Sequence, residues 1–175
     1  MVNFVFVNKS VLFAIILIST SKMVFSQELR VLRHEAYQRG EVLGYKASYG
    51  IIDAARATLS VMPNPVMIGQ RRTYHVVGTG ESLGALKWLF KVEDRYESFI
   101  DDKALVPLQF FRRVKEGGFR MKRNIYFNQN QHIAQVKNLK DDTEKSFKTK
   151  PNTQDLLSSF YFARTLTTDF GFSSG

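Results

Sequence analysis

Leu108-Gln-Phe-Phe-Arg-Arg-Val-Lys-Glu-Gly117-Gly118-Phe-Arg-Met-Lys-Arg-Asn-Ile-Tyr-Phe127 decides how the rest of the chain is read. Leu108, Phe110 and Val114 fall on one face of its first arm. Phe119, Met121, Ile125 and Phe127 fall on one face of its second. Alternation with period two is what a strand with one buried and one wet face requires. Gly117-Gly118 joins the arms, and glycine supplies the positive φ angles that tight hairpin turns need. A hairpin here makes a meander the simplest plan, with sequence neighbours pairing as sheet neighbours.

Working back from the hairpin, Val92 to Ile100 reads as a strand, preceded by a short helix over Leu83 to Phe90 with Leu83, Leu86 and Phe90 on its apolar face. Arg71 to Gly78 is a strand with Tyr74 and Val76 on one side, broken by Gly78-Thr-Gly80. Further back, Tyr45, Ala47 and Tyr49 alternate with polar residues, as do Ala55, Ala57, Leu59 and Val61, and Pro63-Asn-Pro65 ends that strand. Gln27 to Gly40 is a polar, charged lead-in. Working forward, His132 to Val136 is a short strand, and Leu139 to Lys150 a charged loop. A helix then runs from Thr153 to Leu166 with Asn152 as its N-cap and Asp155 in its first turn. Leu156, Phe160 and Ala163 form a stripe, flanked by Leu157 and Tyr161, wide enough to pack on a sheet. The fold class is therefore mainly β with some α: an antiparallel twisted sheet or half-barrel meander carrying a packed C-terminal helix.

The amino terminus has a different character. Lys9 precedes an apolar run of about ten residues from Val11, and Met23-Val-Phe-Ser26 leads into polar Gln27-Glu28. That is the layout of a cleavable export signal, and Lys22 interrupts the run too early for a spanning helix of roughly 20 residues. The expectation is a signal peptide over 1–26, cut after Ser26, and one β-rich domain over 27–175. The destination is the periplasm. The chain contains no cysteine, which excludes both a disulfide scaffold and a lipoprotein anchor. The end, Asp169 to Gly175, offers no terminal strand, so the domain reads as incomplete at its carboxyl end.

Net charge is +9. In a cytosolic protein that would raise nucleic acid as a partner. Export argues against nucleic acid and leaves an anionic membrane surface or another cell-envelope polyanion, beside a surface that merely solubilises.

Catalytic motifs are thin. Gly80-Glu-Ser82-Leu-Gly84 matches G-x-S-x-G between a strand and a helix, with Asp94 and His132 downstream in hydrolase order. That elbow belongs to a parallel sheet with crossover helices, so the glycines read better as a turn into a helix. His34, His75 and His132 have no metal-ligand spacing, and neither a metal nor another cofactor is expected. The pairs Asp101-Asp102 and Asp141-Asp142 read as solvated turn residues. Asp94 points with Tyr96 towards the apolar face and needs a partner there. Arg112 and Arg123, which also fall on nominally apolar faces, are the candidates for a structural ion pair.

The chain has 15 Phe, 7 Tyr and 1 Trp. Most of these must form the core. The remainder can line a concave cavity for an acyl chain, and Trp88, Phe90, Phe110, Phe127, Phe160 and Phe162 are the candidate wall residues.

Several stretches carry a family likeness: Val42-Leu-Gly-Tyr-Lys-Ala-Ser-Tyr-Gly50 with Ala55-Arg-Ala-Thr-Leu59, Tyr74-His-Val-Val-Gly-Thr-Gly80, Gly84-Ala-Leu-Lys-Trp88-Leu-Phe-Lys-Val-Glu-Asp94-Arg-Tyr-Glu-Ser98, and Gln154-Asp-Leu-Leu-Ser-Ser-Phe-Tyr-Phe162. Together, from Gly40 to Leu166, they resemble the exported bacterial proteins grouped as domain of unknown function 3108 (DUF3108), in the form associated with Bacteroidetes. The resemblance implies an exported, mainly β protein akin to periplasmic lipoprotein carriers, with no catalytic residues to carry over. It also implies further strands after the helix, where this chain stops.

The function expected is non-enzymatic binding of a hydrophobic or amphipathic, lipid-like ligand in the cell envelope. A structural or assembly partner of another envelope protein is the first alternative, and a serine hydrolase using Ser82 the second.

Overall fold

A computed structural model describes residues 28–169. The expected signal segment, its cleavage point and residues 170–175 lie outside the described residues. Within them the order is β1 (Val42–Tyr49), β2 (Ile52–Val61), β3 (Val66–Ile68), β4 (Arg71–Ser82), α1 (Gly84–Leu89), β5 (Glu93–Asp101), β6 (Pro107–Glu116), β7 (Phe119–Asn128), β8 (Ile133–Asn138), β9 (Thr143–Lys148) and α2 (Leu156–Asp169). All nine strands form one antiparallel sheet in the order β1-β2-β4-β5-β6-β7-β8-β9, with the short β3 beside β4. The sheet is open, and β1 and β9 are its edges. This is the half-barrel meander with a packed helix that the alternation implies.

Register places the apolar alternation on one inner face. Val76, Ser98, Phe110, Ile125 and Val136 lie side by side across five strands. The core joins Val61, Val76, Ile100 and Phe110 from the sheet to Leu157 and Tyr161 from α2 and to Tyr37. Burial of such side chains contributes roughly 1.5–3 kcal/mol each. α2 comes this close because Gly78 lies beneath it. A Cβ at Gly78 would stand 3.0 Å from Leu157 Cδ2 and 3.1 Å from Leu59 Cδ2.

Asp155, not Asn152, caps α2. Its Oδ1 accepts the N–H groups of Leu157 and Ser158, both at 2.8 Å, while Ser158 Oγ accepts the Asp155 N–H at 2.8 Å. This reciprocal arrangement satisfies donors at both ends of the turn. Asn152 lies outside the helix with φ of 56°. The second carboxylate oxygen of Asp155 accepts a hydrogen bond from Ser98 Oγ at 2.6 Å, which pins the helix start to β5. Burial pushes the Asp155 carboxyl up to about 6, against the opposing pull of those bonds.

Four further expectations need correction. The lead-in before β1, read as polar and charged, also contributes to the core: Tyr37 enters it, and the N–H of Leu32 reaches Lys103 O at 2.8 Å. Gly78-Thr-Gly80 does not break β4. Both glycines keep their pairing with β2 and β5, and the strand runs on to Ser82. The segment read as a charged loop contains β9, paired along its whole length with β8. Its six residues are all exposed, so the charges reflect an edge strand wetted widely. Finally, Asp101-Asp102, where β5 runs into the turn that follows it, is not solvated. Asp101 is 2% exposed, pairs with Arg71, and accepts the N–H groups of Lys103 and Ala104. Asp102 pairs with Arg39 and Arg72.

Candidate functional site

α2 covers only part of the inner face. Beyond it, at the end where β4 meets α1, the alternating positions hold small residues: Ala47 on β1, Ala55 and Ala57 on β2, Gly80 and Ser82 on β4. Cross-strand pairing sets Ala47 beside Ala55, Ala57 beside Gly80, and Ala55 beside Ser82. Small side chains at these registers leave a groove of about 330 Å³, walled by Tyr45, Leu86 and Val92 and almost wholly apolar. A Cβ placed on Gly80 would meet nothing within 4 Å.

The groove is held in shape by backbone bonds. Ser82 N–H donates to Val92 O at 3.2 Å, and Ser82 Oγ accepts the Val92 N–H at 2.9 Å. Leu83 N–H donates to Ala54 O at 2.8 Å. α1 thus bridges from β4 to β5 and overhangs the groove. None of its residues is buried. The face predicted for Leu83, Leu86 and Phe90 packs lightly, against β2 and the β6–β7 turn.

A second hollow on the same face, about 410 Å³, lies across β6 to β9. It mixes the cations Arg112, Arg123 and Lys145 with the apolar Ile125, Val136 and Phe147. Asp94 is not the partner of these arginines. Its carboxylate accepts the Tyr96 hydroxyl at 3.1 Å and the Lys115 N–H at 3.0 Å.

The six aromatic residues proposed as walls are divided. Phe110 is 4% exposed in the core, with Phe127 and Phe160 packed against the same cluster. Phe162 is half-buried under the Arg30 guanidinium, 4.5 Å from its ring centre. Trp88 is 86% exposed on α1, and Phe90 beside it stands over the Gly117 turn. The groove walls were instead Tyr45, Leu86 and Val92, over a floor of alanine and glycine. The signal for them was the run of small residues at alternate positions of the apolar faces.

Ser82 is 2% exposed, with its hydroxyl engaged by Val92, and lies in the groove floor. His132 lines a different hollow, with Glu28, Gln129 and Pro151. His75 hydrogen-bonds Glu97 at 2.8 Å and stacks on Phe99 with ring centres 4.5 Å apart. Ser82 and Asp94 are therefore committed locally and His132 lies in a separate hollow, so the three are not brought together.

Comparison with known families matches residues 44–173 to the family described as "protein of unknown function (DUF3108)". No curated protein and no solved structure matches the chain.

Proposed function

The chain belongs to the DUF3108 family, and we propose that its concave sheet face binds an amphipathic, lipid-like molecule without transforming it, an alkyl chain lying in the groove beneath α1. The observation that carries this reading is the floor of Ala47, Ala55, Ala57 and Gly80, which leaves an almost wholly apolar trough open beside the part of the face that α2 covers. Each methylene buried there contributes about 0.8 kcal/mol, and the volume sits near the lower end of small-molecule sites. An export signal over residues 1–26 would place this binding in the periplasm. The exposed Trp88 and Leu89 beside the groove mouth suit contact with a membrane surface from which such a molecule is taken.

Gly80→Leu tests the reading, because the new side chain fills the groove without a clash. Titration with a fluorescent naphthylamine dye, displaced by a long-chain fatty acid, should report binding to the wild type. Affinity should fall about tenfold or more in the variant, equivalent to about 1.4 kcal/mol. Equal affinity in the two proteins would remove the groove from the account. The alternative of a docking protein would use a free sheet edge; β9 carries Glu144, Lys145 and Lys148, the charged pattern that discourages strand addition, which leaves β1, with Lys46 as its one charge, as the edge for it.

A further inference from the structure

Arg112 and Arg123 are direct cross-strand partners between β6 and β7, on the inner face. Like charges directly opposite one another destabilise a sheet, and among the described residues neither guanidinium forms a salt bridge. Arg112 leans over the Tyr96 ring at 5.6 Å, and its Nε is buried without a hydrogen-bond partner. A buried donor left unmet costs about 1–3 kcal/mol. Arg113, one position along, shows how an arginine here is ordinarily satisfied. It donates to the carbonyls of Arg112 and Arg123 and to Asn124 Oδ1.

The nearby acids do not answer the pair. Asp94 is taken up by Tyr96 and the Lys115 N–H, and Glu116, which feels the field of Arg112, is bonded to Asp94 and forms no salt bridge with either arginine. Asp141, in the wall of the hollow, accepts bonds from Asn138 Nδ2 and from Thr143, and the Thr143 bonds hold its carboxyl below the usual range. The field of Arg123 is the smallest of the influences on it. Lys145, on β9, adds a third cation to the same hollow. Ile125, Val136 and Phe147 form the apolar remainder of the wall.

We propose that Arg112, Arg123 and Lys145 form a binding site for an anionic group, phosphoryl or carboxylate, carried on an apolar tail that lies against Ile125, Val136 and Phe147. The anion relieves the repulsion of the two arginines and meets the buried Nε donor. Charge-assisted bonds to guanidinium are roughly twice as strong as neutral ones. The site is separate from the groove beneath α1 and does not rest on it.

The test is calorimetric titration of the full chain with decyl phosphate below its micelle concentration, with inorganic phosphate and with decyl maltoside. Decyl phosphate should bind about tenfold more tightly than either of the others, and 0.5 M salt should weaken it. Arg123→Gln should reduce decyl phosphate binding about tenfold while leaving the ligand-free melting temperature unchanged or raised, because a like-charge pair is removed. Gly80→Leu should leave this binding intact even if it abolishes dye binding in the groove. Inorganic phosphate binding as tightly as decyl phosphate would overturn the apolar half of the site. Maltoside binding as tightly, or full affinity in Arg123→Gln, would overturn the anionic half.

Discussion

The inner face of the sheet is divided between a part covered by α2 and a part left open, and β4 crosses the boundary. Gly78 and Gly80 stand two residues apart on that strand, each paired to β2 and β5. Beneath α2, the space above Gly78 is filled by the side chains of Leu157 and Leu59. Gly80 opens onto the groove and touches nothing. In sequence both are small residues on an apolar face. In the fold one makes close helix packing feasible and the other leaves a surface to which a ligand has access. The difference is set by where α2 begins, with Leu157 in its first turn, so smallness alone does not report function.

This contrast can be broken at its packed end first. Leu157→Ala should cost about 3 kcal/mol in denaturant unfolding, the ordinary range for removing a buried leucine. A cost under 1 kcal/mol would show that α2 is not held by the sheet. Gly78→Leu should cost about 2 kcal/mol, since the side chain must displace Leu157 or Leu59. Gly80→Leu, by contrast, should change stability by no more than about 0.5 kcal/mol. If the two glycine variants were equally destabilised, the division of the face would be wrong.

The anchor of α2 on β5 sharpens the comparison through pH. The Asp155 carboxyl is raised from 3.8 to about 6 by burial. Between those values the folded protein holds a proton that the unfolded chain has released. Stability from this group is therefore highest below 3.8 and falls as pH rises towards 6, after which it is constant. Asp155→Asn keeps an acceptor for the Leu157 and Ser158 N–H groups and cannot ionise. Its melting temperature relative to wild type should rise between pH 4 and about 6 and be level above that. A flat difference across that interval would mean that the carboxylate is better solvated than the geometry implies.

Much of this fold was legible in the chain. β5 and β8 read as strands without a clear alternation, whereas period-two alternation located β1, β2, β6 and β7. It failed at β9, which is exposed on both faces and so carries no alternation. It failed also at the end of β4, where glycines usually mark a break but here fit between two paired neighbours. The cap of α2 was misplaced because Asn152 and Asp155 are both good capping residues, and only the buried Ser98 hydroxyl opposite Asp155 decides between them. The lead-in looked polar because Tyr37 is its one deeply buried aromatic. The site was less legible. Attention to aromatic residues found Phe110 and Phe127, which are core, whereas the groove is made by the alanines and glycine that no aromatic count reveals. Arg112 and Arg123 did stand out as cations on an apolar face. Their register opposite one another, with Asp94 already engaged, required the three-dimensional pairing of β5, β6 and β7.

The central claim, that the open part of the inner face holds a lipid-like molecule, is tested most directly by native mass spectrometry. Arg123→Gln, which silences the second site, and the Arg123→Gln/Gly80→Leu double variant would be recovered in parallel from the periplasm of an expressing Gram-negative host. The single variant should carry a lipid-sized adduct that is lost on gentle activation, and the double variant should be bare while melting at the same temperature. Bare spectra for both proteins, or the same adduct on both, would contradict the assignment of the groove as the site that binds the ligand.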